Sequence, residues 1–375
     1  MTFDLTATQR KRMAQLVEQV GAELGSTADG RDRANWRKAG ELGLLGLCIP
    51  EEYGGSGLGA LDTALALEAF GTACPDTGFT FAVAAHLLAC SVPIAVFGSD
   101  QVRKELLPDL VSGTAVAANA MTEEDAGSDS SSLTTQAEPT ETGFRLNGHK
   151  SFASNAPISD VVVTYGISDP KAGYLGLSAF AVPTGLPGVV LSEPFDKMGL
   201  TSCAAGTVTF IGVELPEHYV LGQAGQGAAI FQHSMLWERS CLFAVYLGLM
   251  SRQLEAVVRQ VRQRKQFGQR LSAFQVVSHK VVDMAQRLDT ARLMLYRACS
   301  LMDAGQPAER AIAQSKLAVS EAAVANSLDA VQLFGGRGYL SEYGIEQQLR
   351  DCVPATLFSG TSQVQRELIA RGMGL

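Results

Sequence analysis

The chain has 375 residues, 46% hydrophobic and 18% charged, with a formal net charge of −8. That is a globular composition, and the length exceeds a usual single domain, so two or three structural units are expected. The acidic balance excludes sequence-independent nucleic-acid binding, which needs a basic surface.

The N-terminal stretch MTFDLTATQRKRMAQ lacks the apolar core of a signal peptide, so a cytoplasmic protein is expected. Met13, Leu16, Val17, Val20 and Leu24 then recur at helical spacing, and LDTALALEAFG (61–71) reads the same way. Between them IPEEYGGSGLG (49–59) is a turn-rich loop. The run GFTFAVAAHLLACSVPIAVFG (78–98) carries no charge, yet Pro93 interrupts it and Asp76 and Asp100 flank it. A pair of buried helices is expected there rather than a membrane span.

From about residue 118 the period changes to two. GFRLNGHKSF (143–152), DVVVTYGIS (160–168), LSAFAVP (177–183) and TVTFIGVEL (207–215) alternate and are separated by turn signals, which predicts an antiparallel β domain. From about 223 long helical patterns return: 235–263 reads as one helix of unusual length, followed by 271–301 and 307–334. The expected fold class is α+β, with an N-terminal helical domain (1–117), a middle β domain (118–222) and a C-terminal helical bundle of four helices (223–375). The seven cysteines include no C-x-x-C pair and read as reduced, mostly buried thiols; the five histidines show no metal-ligand spacing, so no metal is expected. G-x-G-x-x-G after a strand and the P-loop motif are both absent.

Helices, a β domain and a helical bundle, together with the closing segment LFSGTSQVQRELIARG (357–372), resemble the acyl-CoA dehydrogenase superfamily of flavoenzymes over essentially the whole chain. The resemblance implies FAD. NAMTEEDAGSD (119–129) is similar to the segment lining the isoalloxazine ring, which places Met121, Thr122 and Ser128 there. In KSFASN (150–155), Phe152 takes a position often held by tryptophan, and Ser154 one often held by threonine, whose hydroxyl bonds near the flavin N5. In RKQFG (264–268) and FQ (274–275), the resemblance gives Arg264 the pyrophosphate, with Gln266, Phe267 and Gln275 beside it. QLFGG (332–336) and TSQ (361–363) supply Gln332, Gly335, Gly336, Thr361 and Gln363. In relatives these pieces come from a neighbouring subunit, so a homotetramer is implied.

The closing segment raises a difficulty. Many members carry their catalytic glutamate where this chain has Ser359, and a serine hydroxyl is too weak a base for an α-proton. MLWERSCLFA (235–244) answers it. A Glu–Arg pair interrupts an apolar run, and a buried carboxylate is costly unless paired or functional. One reading pairs Glu238 with a cation of the bundle. The resemblance favours another, because isovaleryl- and long-chain-type members carry the glutamate on this helix, before an arginine, and lack it in the closing loop. Glu238 is then the base, its pKa raised by burial, while the Ser359 backbone N–H bonds to the thioester carbonyl.

The wording of KSFASNAPISD, SMLWERSCLFA, FGGRG and LFSGTSQ is most similar to the flavin-dependent L-prolyl-carrier-protein dehydrogenases of pyrrole natural-product biosynthesis. That implies L-proline tethered to a peptidyl carrier protein as substrate, oxidised twice to pyrrole-2-carboxyl. The electron acceptor is an electron-transfer flavoprotein or oxygen. A short branched-chain (isovaleryl-type) acyl-CoA dehydrogenase and a catalytically silent scaffold remain the alternatives.

Overall fold

The computed structural model describes residues 4–25 and 29–375. Residues 1–3, the start of the stretch read above for a signal peptide, lie outside them. The N-terminal helices begin where polar caps sit. Thr6 caps Ala7–Leu24 in a reciprocal box with Gln9, Asp32 caps Arg33–Glu41, and Ser99 caps Asp100–Ser112. Asp76, read above only as a flanking charge, accepts the Phe79 N–H and so starts the apolar run.

That run is one rod from Thr77 to Phe97 and not a helix pair. A π-helical turn, His86–Ser91, lies just before Pro93. Proline lacks an N–H and collides with the carbonyl four residues back in α-geometry. Widening the preceding turn accommodates it without breaking the rod. The predicted 235–263 helix differs in the same way: it begins at Gly227, and a π-helical turn, Glu238–Leu242, separates Gly227–Trp237 from Ala244–Gln263. Both rods are long and apolar enough to cross a bilayer, yet 89% and 67% of their apolar windows are buried within the protein, as in core helices.

All four predicted strands are present, in a sheet ordered Val189–Leu191, Ala205–Pro216, Gly143–Ser154, Gln136–Pro139, Val161–Ile167, Leu177–Pro183 and Val220–Leu221. The antiparallel expectation needs one correction. Ala117–Ala120 lies parallel to Val161–Ile167, and Gln136 also meets Ile167 in parallel, so the sheet is mixed. A parallel pair needs a long connection, and the chain between Ala120 and Val161 provides it by running through the Gly143–Ser154 strand. That strand shifts register against Ala205–Pro216 between Lys150 and Ala153. Phe152 lies in the shift with φ 56°, and its ring points outward.

Helix Ala60–Ala73 crosses Ala244–Gln263 at a contact only glycine permits. A Cβ on Gly71 would stand 2.3 Å from the Val245 carbonyl oxygen, and one on Gly248 would stand 2.4 Å from that of Glu68. Arg252 adds bonds to the carbonyls of Gly71 and Cys74. This crossing ties the second rod, and the π turn in it, to the N-terminal helices. One large apolar core joins those helices, the sheet and the start of the bundle. A smaller core of Val257, Val261, Met284, Ala330, Leu333 and Ile345 fills another part of the bundle.

Candidate active site

Glu238 opens the π turn of the second rod, with only 8% of its surface exposed. Widened turns of this kind recur at functional sites because they change which side chains face inward. One carboxylate oxygen, Oε1, accepts a hydrogen bond from the Ser359 hydroxyl. The other, Oε2, is buried without a hydrogen-bond partner among the described residues. Burial raises the Glu238 pKa above the usual carboxylate value, and the Ser359 bond, Arg239 and Lys316 partly offset it.

Neither cation neutralises Glu238 through an ion pair. The Arg239 Nε donates to the Ser359 carbonyl at 2.8 Å. Lys316 is fully buried, its Nζ has no hydrogen-bond partner among the described residues, and it stands 5.2 Å from the Phe243 ring centroid. Burial, followed by the Arg239 charge, pulls the Lys316 pKa down to about 8. The reading in which Glu238 is a bundle salt-bridge partner therefore fails in the geometry.

The closing loop is fastened from several sides. Gln365 Nε2 donates to the carbonyls of Ser359 (3.2 Å) and Gly360 (2.9 Å). Thr361 caps helix Ser362–Arg371 by accepting the Val364 N–H at 3.2 Å. Phe358 packs against Phe81 (4.6 Å between centroids) and Phe243 (5.4 Å), joining both rods to the loop. Ser359 itself has φ 55°, and among the described residues its N–H reaches no acceptor. The closing loop thus brings the Ser359 hydroxyl and N–H to the Glu238 carboxylate. This arrangement can take up a proton and stabilise an adjacent oxyanion.

The residues expected to hold a cofactor fall into separate groups within one chain. Met121 and Thr122 are fixed to the strand bearing Phe152 and Ser154: Lys150 Nζ donates to the Met121 carbonyl (3.2 Å), and the Ser151 N–H to that of Thr122 (2.8 Å). Lys150 also pairs with Glu123 at 2.9 Å in the interior. Burial opposes the Glu123 charge, but Lys150 and bonds from Thr134 and Thr135 overcome it and hold the carboxyl at about 2. Phe152 is 63% exposed on this pinned frame, and Ser128 is exposed nearby in sequence.

Arg264, Gln266, Phe267 and Gln275 are all exposed around a two-residue hairpin turn, with Phe267 92% exposed at φ 52°. Gln332, Gly335 and Gly336 are exposed at the end of helix Glu309–Phe334, where nothing lies within 4 Å of a Cβ placed on either glycine. These residues surround the smaller core, to which Leu271 and Phe334 also contribute. Thr361 and Gln363 belong instead with the closing loop. Sequence reasoning missed Lys316, Gln365 and the hydroxyl of Ser359. Lys316 carried a usable signal, a lone cation in the apolar stretch AIAQSKLAVSEAAVA. Gln365 carried none.

Family models of the acyl-CoA dehydrogenase N-terminal, middle and C-terminal domains match residues 4–114, 118–213 and 225–374. The chain is 49% identical over 380 residues to the L-prolyl-[peptidyl-carrier protein] dehydrogenase of Pseudomonas fluorescens, with 100% of both chains covered. It is 44% identical over 340 residues to the enzyme of that description from Serratia sp., covering 91% of this chain and 88% of the other. The structure of PigA with FAD and proline superposes with a TM-score of 0.96 at 40% identity, covering 100% of both chains.

Proposed function

The chain belongs to the acyl-CoA dehydrogenase family, and from that premise we propose that it is an FAD-dependent dehydrogenase of L-prolyl thioesters carried on a peptidyl carrier protein. The likeness to two prolyl-carrier-protein dehydrogenases and to PigA with FAD and proline supports this substrate over isovaleryl-CoA. The observation that carries the chemistry is the half-satisfied carboxylate of Glu238: one oxygen held by Ser359, the other free in the interior. A silent scaffold has no need of that arrangement, since an unpaired buried carboxylate oxygen is destabilising without a substrate to meet it.

The residues present fit FAD. Phe152 presents a flat, exposed ring from a left-handed position on a frame pinned by the Lys150–Glu123 pair, suited to stacking on an aromatic cofactor. Met121, Thr122, Ser128, Phe152 and Ser154 would hold the ring side. Arg264, Gln266, Phe267, Gln275, Gln332, Gly335, Gly336, Thr361 and Gln363 would hold the phosphate and adenine side. Within one chain the Arg264 and Gly335 groups lie beside the smaller core and not on the Phe152 frame, which supports a partner subunit supplying them, and the family resemblance implies a homotetramer. When bound, FAD supplies the acceptor for the hydride that leaves the substrate β-carbon.

The chain's own residues do the rest. Glu238 Oε2 takes the α-proton. The Ser359 N–H donates to the thioester carbonyl oxygen as negative charge develops on it. Arg239 and Gln365 fix the Ser359 backbone by its carbonyl, so this donor is oriented before the substrate arrives. Glu238 is buried, and Phe81, Phe243 and Phe358 hold the closing loop against both rods. After one desaturation the ring product tautomerises and presents a further oxidisable bond, so a second turn yields pyrrole-2-carboxyl-carrier protein. An electron-transfer flavoprotein or oxygen then accepts the electrons.

Anaerobic bleaching of the flavin tests this reading. Rapid bleaching by L-prolyl-carrier protein is expected and, with enzyme in excess, two flavins bleached per substrate, since each flavin takes up two electrons. Bleaching by isovaleryl-CoA alone would make the protein a branched-chain acyl-CoA dehydrogenase. A fully flavinated protein bleached by neither would favour the silent scaffold.

A further inference from the structure

Ser359 keeps a side chain where its backbone favours none. At φ 55° the position is left-handed, a conformation glycine adopts freely, and Gly360 beside it stands at φ 87°. The Ser359 hydroxyl makes a single hydrogen bond among the described residues, and that bond is to Glu238 Oε1. The loop contacts around it engage backbone atoms instead: Arg239 and Gln365 hold the carbonyl, and the N–H is left free. The hydroxyl is therefore not needed to fasten the loop.

We propose that the Ser359 hydroxyl is a positioning group for the base, clamping Glu238 Oε1 so that Oε2 alone faces the α-proton in a fixed orientation. This rests on reading Glu238 as the base. A glutamate side chain has several rotatable bonds, and a second anchor on its head group removes most of their freedom. The donor is neutral, so it orients the carboxylate without forming an ion pair that would quench its basicity. An arginine in the same place would do both.

The hydroxyl also bears on when Glu238 ionises. The groups facing Glu238 are Arg239 on its own turn, Lys316 from helix Glu309–Phe334, Cys90 from the first rod and Tyr165 from strand Val161–Ile167. Of these, Arg239 and Lys316 favour the carboxylate, as does the hydroxyl bond, while burial opposes it. Losing the hydroxyl would therefore move the titration of Glu238 upward.

The experiment uses FAD-loaded protein with Ser359→Ala and Ser359→Gly. Both remove the hydroxyl, but glycine relaxes the left-handed backbone and guards against a folding failure. Two readouts are taken: infrared titration of the Glu238 carboxyl, identified by its loss in Glu238→Gln, and the pH dependence of flavin bleaching by L-prolyl-carrier protein. Both variants are expected to titrate about one pH unit higher, as loss of a hydrogen bond to a charged group implies. Their limiting bleaching rate at high pH is expected to fall roughly tenfold, with little change in the substrate concentration at half-maximal rate. Wild-type titration and rates in both variants would overturn the proposal. A change in Ser359→Ala that is absent from Ser359→Gly would overturn it too, by assigning the effect to backbone strain. If wild-type protein is not bleached while the carboxyl shift persists, the substrate reading fails and the clamp stands.

Discussion

The rods Thr77–Phe97 and Gly227–Gln263 are alike in composition, both largely buried, and each is widened by a π-helical turn that opens on a buried polar residue, His86 in the first and Glu238 in the second. They differ in what the polar residue is allowed to bond. In the first rod, His86 Nε2 donates to the Leu110 carbonyl at 3.0 Å, and Nδ1 accepts the Ala117 N–H at 2.9 Å. Its capacity is filled, and burial pulls its pKa down to about 4, so it stays neutral. In the second rod, Glu238 has one oxygen bonded and one free. Burial is common to both, so burial does not identify the reactive group. Between these two residues the difference lies in hydrogen-bonding capacity, filled at His86 and half-filled at Glu238.

The largest test of that contrast removes the charge of Glu238. Glu238→Gln should retain its flavin absorbance and lose reduction by prolyl-carrier protein by roughly 10²–10⁴-fold in stopped-flow bleaching, the range for a general base. A mutant that bleached at the normal rate would end its role as the base.

The Lys150–Glu123 pair is an intermediate case, a buried charge whose bonds are all filled. Lys150→Met should leave Glu123 charged and without its cation, lowering stability by about 3–5 kcal/mol in denaturant unfolding and releasing flavin. The pH dependence follows from the sign of the shift. Glu123 is held at about 2, below the ordinary carboxylate value, so its contribution is present above that value and is lost as pH falls toward 2.

A smaller effect is expected at the satisfied histidine. His86→Leu orphans the Leu110 carbonyl and the Ala117 N–H, and should lower stability by about 2–4 kcal/mol. The bleaching rate per folded molecule should stay at the wild-type value. A large rate loss there would break the distinction between the two rods.

The smallest effect concerns Lys316. Lys316→Met removes a cation facing Glu238, so the rise of the bleaching rate with pH should move upward by about half a unit, whereas Lys316→Arg should leave it in place. The direction follows from the charge: a cation stabilises the carboxylate, and the base works only when ionised.

Much of this molecule is legible without coordinates. The alternation in 207–215 marks a strand because side chains on a pleated chain point to alternate faces, a local property, whereas Val161–Ile167 and Leu177–Pro183 do not alternate as expected but are buried on both faces. The Glu–Arg pair at 238–239 is visible as charge inside an apolar run, and with Ser359 it locates the base by resemblance. What the amino-acid order leaves open is set by contact between distant segments. The π turns depend on how each rod meets its neighbours and, in the first, on a proline. The parallel pairing of Ala117–Ala120 depends on where a long connection returns. Which oxygen of Glu238 stays free is decided where residues 238, 316 and 359 converge, far apart in the chain and adjacent in the interior. Periodicity reports which face of an element is buried. Only packing determines which polar atoms on that face find partners, and that difference separates a base from a structural polar group.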